Sequence, residues 1–206
     1  MKLTKEKLKS FDPDIEVYQW YLEQNITDLF KITSKLIKEK HYDWCSWILV
    51  KMMDEKQCVK YALFAAERVL YIFEKKYPND NRPRKVIEAV KEYLKNPNLI
   101  NKDILIKVSD AVSNAYCDAL NAYGVAFNAH CAADIITGNT TVNAYHAARA
   151  IYITYNVVRD VSATFNARAT RAVIYAAFNA TYDEKNHKSL KTEIVKYGIK
   201  LLKEGV

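Results

Sequence analysis

The stretch from Val108 to Tyr182 carries a seven-residue phrase three times over: Asn114-Ala115-Tyr116, Asn121-Ala122-Tyr123 and Asn128-Ala129-His130. Ala115, Ala122 and Ala129 recur every seven residues, as do Ala119, Ala126 and Ala133. A straight α-helix drifts by only about 20° per heptad, so each set forms a narrow, nearly aligned seam of small side chains. Such seams let a second helical backbone come close, with Leu120 and Phe127 filling the wider space beside them. Asparagines at successive repeats lie roughly 10 Å apart along the axis. They are too far apart to bond one another, so each is expected to bond a neighbouring helix or water on its own.

Outward from this stretch the pattern stays helical. Residues 2–9 predict a short lysine-rich helix stopped at Asp12-Pro13, with Asp12 as the next N-cap, Pro13 at the first helical position and Glu16 placed to assist the cap. Ile15, Tyr18, Tyr21 and Leu22 predict one apolar side for that second helix. Further helices are predicted over 27–40, through the aromatic and apolar run 41–53, and over 54–76 with Asp54 as its cap. Tyr77-Pro78-Asn79-Asp80-Asn81-Arg82 reads as a turn, Pro83 opens another helix and Asn96-Pro97-Asn98 closes it. Beyond it, helices are predicted from about Ile104 to Thr137, from Thr140 or Thr141 onward, and from Ser189 to Leu202, the last docking through Ile194, Val195, Ile199 and Leu202. Four glycines and four prolines are too few for the turns of a sheet. The expected fold is all-α: an irregular multi-helix bundle, or an armadillo-like helical repeat, with closely packed alanine-rich helices. Its halves are expected at 1–103, basic and aromatic-rich, and 104–206, alanine-rich with a C-terminal docking helix, the two forming either separate units or one continuous domain.

A chain of 206 residues, half of them hydrophobic and 27% charged, can bury a substantial core and has neither disordered nor membrane-spanning composition. The start, Met1-Lys2-Leu3-Thr4-Lys5-Glu6, lacks the apolar core of a signal peptide, so the expected compartment is the cytoplasm. The formal charge of +7 is uneven: residues 1–107 hold 21 Lys/Arg against 16 Asp/Glu, whereas 108–182 hold four of each sign. That distribution suits an acidic partner or salt-sensitive attraction to nucleic acid, although lysines interleaved with glutamates more often form a solvated surface. Cys45, Cys58, Cys117 and Cys131 never form a CxxC pair, which removes zinc knuckles and redox loops, and all four are expected to be buried as small apolar residues.

Few residues invite a chemical reading. Arg149, Arg159, Arg168 and Arg171 are sparse charges in an apolar half, expected to bridge helices by pairing with Asp110, Asp118, Asp134 or Asp160, with Arg149 and Arg159 the ones that would face a partner. Trp44, Trp47 and Tyr42 have the composition of a base-stacking platform, but Ile48, Leu49 and Val50 beside them favour burial in the core. Among His41, His130, His146 and His187 there is no HExxH. His130 and His146 could approach across Gly138 with Asp134 nearby, a weak polar site for metal or acid-base work. No nucleophile elbow, glycine-rich phosphate loop or acidic metal motif occurs, so no cofactor is expected.

The segments Trp44-Cys45-Ser46-Trp47, Ala65-Ala66-Glu67-Arg68-Val69-Leu70, Phe73-Glu74, Tyr77-Pro78-Asn79-Asp80-Asn81-Arg82-Pro83-Arg84 and Ile87-Glu88-Ala89 resemble bacterial immunity proteins of the Imm-5 type, with a looser likeness through 144–180. Residues 65–89 carry the specific part. The resemblance implies a cytoplasmic helical protein that neutralises a toxin. In physical terms, Glu67, Arg68, Asp80, Arg82, Arg84 and Glu88 surround a proline-started helix, and Arg82 or Arg84 can return to Glu67, Glu74 or Glu88 in multidentate bonds. The cluster reads either as a clamp that locks two helices in register or as a surface for a partner. The expected function is a non-enzymatic immunity or inhibitor protein that blocks a protein toxin or effector sterically, without a membrane role. Two rivals stand beside it: a nucleic-acid-binding or defence protein using the basic half, and a small enzyme with an unrecognised His/Cys site.

Overall fold

The structure, a computed structural model, describes residues 1–96, 114–115, 117–121, 146–147, 149–150, 153, 163–180 and 187–205. Its named helices are α1 (Lys5–Lys9), α2 (Ile15–Gln24), α3 (Leu29–Lys38), α4 (Tyr42–Met52), α5 (Glu55–Lys76), α6 (Arg82–Lys95), α7 (Ala163–Ala180) and α8 (His187–Glu204). Residues 114–115, 117–121, 146–147, 149–150 and 153 are helical as well. Among the described residues there is no strand, only an isolated antiparallel bridge between Lys2 and Asp28. The fold is the all-α multi-helix bundle expected.

Local chemistry sets most boundaries where the sequence places them. The Asp28 carboxylate accepts the Lys31 N–H at 2.9 Å and starts α3. At α5 the Asp54 carboxylate accepts the Gln57 N–H at 2.7 Å while the Gln57 amide oxygen accepts the Asp54 N–H at 3.0 Å, a reciprocal capping box. Pro83 sits in the first turn of α6, where its missing N–H costs nothing. The final helix reaches further than its apolar pattern suggests, from His187 to Glu204.

The start of α2 overturns the expected cap. Asp12 adopts a left-handed φ of 56°, a conformation that Asp tolerates better than most side chains, and so does not cap α2. Asp14 takes the N-cap position without a side-chain bond, so Pro13 lies outside the helix. The apolar face is also rotated from the one expected. Val17 and Tyr21 are buried, whereas Ile15 is 71% and Leu22 43% exposed. The Tyr21 hydroxyl donates to the Leu3 carbonyl at 2.5 Å, and the N-terminal segment pairs with residues 27–29 through Leu3 N–H to Thr27 and Leu29 N–H to Met1. These bonds turn α2 so that position 21 points inward.

The core is built around α5, whose most extensive contact is with α7, and whose other neighbours are α6 and α8. Helix α8 also lies on α4 and α3, and α4 on α7. Small side chains recur on both partners of this contact: Ala62, Ala65 and Ala66 of α5 and Ala176, Ala177 and Ala180 of α7 are all buried. In α4 every residue from Cys45 to Val50 is buried, as the apolar run predicts. Close nesting appears again at α8, where a Cβ built on Gly198 would lie 2.8 Å from Cζ of Tyr61 and 3.1 Å from Cδ1 of Leu49. A polar staple closes the same corner: the Gln57 amide donates to the Leu201 carbonyl at 2.8 Å.

The heptad seam of the alanine-rich stretch is described at its first turns. Ala115 and Ala119 are fully buried, and so are Ala147 and Ala150. Asn114 and Asn121 are exposed, which leaves water to bond them. Leu120, expected to fill space beside the seam, is 38% exposed. Cys117 is exposed too, against the expectation of burial, since it lies about 200° around the helix from Ala115 and so opposite the buried seam. Cys45 and Cys58 are buried as expected. Ala122, Ala126, Phe127, Asn128, Ala129, Cys131 and Ala133 lie outside the described residues.

Candidate functional site

Helix α5 is buried on nearly every side. Cys58, Val59, Tyr61, Ala62, Leu63, Ala65, Ala66, Val69, Leu70, Ile72 and Phe73 all point into the core. Apart from Lys56, Gln57 and Lys60 near its start and Lys76 at its end, what remains is a stripe at helical spacing: Phe64, Glu67, Arg68, Tyr71 and, one turn on, Glu74 and Lys75. Two members of the sequence-derived cluster, Glu67 and Arg68, fall on this stripe. Its flanks are α6 on one side and α8 on the other.

Ion pairs tie the stripe to both flanks. Glu67 pairs with Lys91 of α6. Arg68 reaches the other way, 3.2 Å from a carboxylate oxygen of Glu193 on α8, and its guanidinium lies 4.9 Å from the centre of the Phe64 ring. Phe64 in turn stacks on Tyr197 of α8, with ring centres 3.9 Å apart and planes 9° from parallel. Arg68 is 44% exposed at its side chain and Tyr71 44% overall, so the assembly presents a guanidinium and aromatic rings to solvent. Partial burial raises the Tyr197 hydroxyl's pKa, aided by the negative charges of Glu204 and Glu67.

The second part of the cluster sits at the α5–α6 turn. Arg82 makes a fork with Asp80, Nε to Oδ1 at 2.9 Å and Nη2 to Oδ2 at 2.6 Å, while Asp80 Oδ1 also accepts the Arg82 backbone N–H at 3.1 Å. The same Nη2 donates to Asp118 at 2.7 Å, linking the turn to helical residues 117–121. The hydrogen bonds from Arg82 hold the Asp80 carboxyl below its ordinary pKa, and the two carboxylates raise that of Arg82. Arg84 forms a bidentate pair with Glu74 of α5, both bonds at 2.7 Å. Of the partners proposed for the two arginines, Glu74 is the one the geometry supplies. Glu88 is exposed and acts on Arg84 only as a distant charge.

Sequence reasoning does not reach Lys91, Glu193, Phe64 or Tyr197 as members of this group. Lys91 and Glu193 are two among many charges on helix surfaces, and their pairing depends on how α6 and α8 lie against α5. Asp118 is anticipated as a partner for an arginine of the second half, but it meets Arg82 of the first. Elsewhere, Arg149 is half-buried next to His146, where burial and the Arg149 charge lower the imidazole's pKa. Arg159, His130 and Asp134 lie outside the described residues, so the proposed His130–Asp134–His146 site does too. Among the described residues no group of three or more His, Cys, Asp or Glu side chains is placed to hold a metal.

The aromatic run of α4 divides. Trp47 is in the core, 8% exposed, with its edge against Phe11. Trp44 is half-buried, and His41 covers one of its faces in parallel at 4.1 Å while Trp20 meets it edge-on. Tyr42 is half-buried between Phe178, at 6.4 Å, and the hydroxyl of Thr192. Burial disfavours ionisation of Cys45, whose thiol is pushed far above its usual range and is no nucleophile.

Chemically, Glu67, Arg68, Glu74, Asp80, Arg82 and Arg84 are each met by an opposite charge. Such an arrangement fixes helices against one another and displays aromatic rings. No helix among the described residues is long and apolar enough to cross a membrane. Neither the comparison with curated proteins nor that with solved structures finds a match. The family comparison does: residues 49–101, from the end of α4 through α5 and α6, match the family described as Imm-5 like putative immunity protein, and that span contains every residue from 65 to 89 on which the sequence resemblance rests.

Proposed function

We propose that this protein is an immunity protein that binds a protein toxin or effector and blocks it by covering its working surface. The observation that carries the proposal is the coincidence of the family-matched span with the α5–α6 pair and the exposed stripe on α5. Arginine and aromatic rings are the side chains that most often dominate protein interfaces, and Arg68, Phe64, Tyr71 and Tyr197 supply them here. Pairs to α6 and α8 hold Glu67 and Arg68 in place before any partner arrives, which reduces the ordering cost of binding. In this reading the Arg82 and Arg84 pairs are scaffold and the α5 stripe is the contact surface. The working compartment is the cytoplasm, and the excess of positive charge speeds encounter with an acidic partner.

The test is capture followed by rescue. The protein, tagged and expressed in its native cells, should retain one protein partner in stoichiometric amount. Production of that partner alone should arrest growth of a naive host, and co-production of this protein should restore it. Retention of nucleic acid with a steep salt dependence, and no protein, would move the assignment to the basic half. Within a confirmed pair, Arg68→Ala and Tyr71→Ala should weaken the complex at least ten-fold with little change in Tm. Unaltered affinity in both would remove the α5 stripe from the interface.

A further inference from the structure

The turn between α1 and α2, together with α4 and α7, encloses a pocket of ≈ 320 Å³ lined by Phe11, Asp12, Trp47, Val50, Lys51 and Arg171. Its lining is mixed, and the apolar part, at the floor, is the most buried: Phe11 and Trp47 meet edge to face at 6.3 Å, and Val50 is 3% exposed. Lys51 and Arg171 stand at its mouth, both exposed, and neither has an ion pair among the described residues. Lys7 adds a third cation, with Nζ 5.7 Å from the centre of the Phe11 ring. Against these three stands Asp12, on the exposed left-handed corner before Pro13.

The arginines of the α5–α6 turn, Arg82 and Arg84, are each held by carboxylates in this structure, and Arg68 has Glu193. Arg171 has an unused planar fork, the geometry that best accepts a carboxylate. A ligand that satisfies this pocket must therefore bring negative charge to the mouth and apolar atoms to the floor. The space is at the small end of binding pockets, and it is larger than one acidic side chain, so it takes the side chain together with part of the peptide that carries it. Nucleic acid would need a track of cations rather than a closed recess.

We propose that this pocket binds an acidic side chain of a peptide segment, with Arg171 and Lys51 holding the carboxylate and Phe11 and Trp47 receiving its methylene stem. The inference does not depend on the α5 stripe or on the immunity reading. It adds a second, separate recognition point for acidic protein surfaces.

The experiment uses the full chain with nitrogen-15 labelling and the blocked peptide acetyl-Leu-Glu-Leu-amide as probe. Its addition should shift the indole N–H signal of Trp47 and the Nε–H signal of Arg171 along saturable curves. The neutral peptide acetyl-Leu-Gln-Leu-amide should bind at least ten-fold more weakly. Arg171→Ala and Lys51→Ala, both at exposed positions that leave folding intact, should each abolish most of that discrimination. The proposal is overturned if neither signal moves, if the glutamine peptide binds as well as the glutamate peptide, or if inorganic phosphate binds as tightly as the peptide, since the floor would then contribute nothing. Any of these failures leaves the capture and rescue result for the immunity reading untouched.

Discussion

The ring of Tyr61 lies against the backbone of Gly198, so closely that a Cβ at position 198 would come within 2.8 Å of Cζ and 3.0 Å of Cε2. Both partners are enclosed: Tyr61 is fully buried, and Leu49 closes the other side. A glycine inside a helix ordinarily costs about 1 kcal/mol relative to alanine. Its presence in the middle of α8 is explained by the ring it admits.

Gly198→Ala therefore sets two terms against each other. Helix propensity returns about 1 kcal/mol, while overfilling a rigid core costs about 1–3 kcal/mol. The tyrosine ring cannot swing into solvent, so the clash should win and lower stability by about 1 kcal/mol. Urea unfolding of the two proteins measures this directly. A higher midpoint in Gly198→Ala would mean that α8 shifts freely over α5.

Tyr61→Phe addresses the hydroxyl alone. That oxygen is buried with no hydrogen-bond partner among the described residues, and burial raises its pKa well above the ordinary tyrosine range. Removing an unsatisfied buried polar group should leave stability unchanged or raise it by up to about 1 kcal/mol. A loss of 2 kcal/mol or more on thermal unfolding would reveal a bond that the hydroxyl does make.

The two arginines of the α5–α6 turn should differ. Arg82 is about a third exposed and joins two carboxylates, one of them 36 positions along the chain, whereas Arg84 is about half exposed and joins one. Arg82→Ala should cost about 1–2 kcal/mol, most of it from leaving Asp80 charged without its fork, and Arg84→Ala about 0.5 kcal/mol, as exposed pairs usually do. Equal melting temperatures for the two variants would count against the link to Asp118.

Acid should act in two stages. Folding lowers the pKa of His146, through burial first and Arg149 second. Its contribution is intact above the ordinary imidazole pKa of 6.5 and is lost as pH falls from there through the lowered folded value, because the unfolded chain takes up the proton first. Asp80, lowered mainly by its bonds to Arg82, adds a second loss only as pH falls below its ordinary 3.8. A Tm profile for His146→Gln should be flatter than that of the parent between about pH 7 and 5, and parallel to it below.

Much of this architecture can be read from residues close together in the chain. Asp54 capping α5 and Pro83 in the first turn of α6 are local signals that mark a boundary where it is expected, while the Asp28 cap starts α3 at Leu29, two residues after the expected Thr27. The pairing of Arg84 with Glu74 needs only the turn between them. What fails is rotation and distance. Ile15 and Leu22 have the spacing of a buried face, yet the bond from Tyr21 to Leu3 turns α2 the other way. Cys117 looks like a core residue by type, but Ala115 and Ala119 have already chosen the buried side. Glu67 with Lys91 and Arg68 with Glu193 depend on packing between whole helices, which single side chains do not encode.

The bond from Gln57 to the carbonyl of Leu201 joins residues 144 positions apart, at the beginning of one helix and the end of the last. During synthesis, α3, α4 and α5 leave the ribosome long before the segment that covers them exists, and α4 must wait with its apolar flank open. Until α8 emerges, the nascent chain therefore leaves that flank open to proteases and to its own copies. That flank is sealed only after Leu201 has been made, so this corner of the fold closes late, by a bond between residues far apart in the chain.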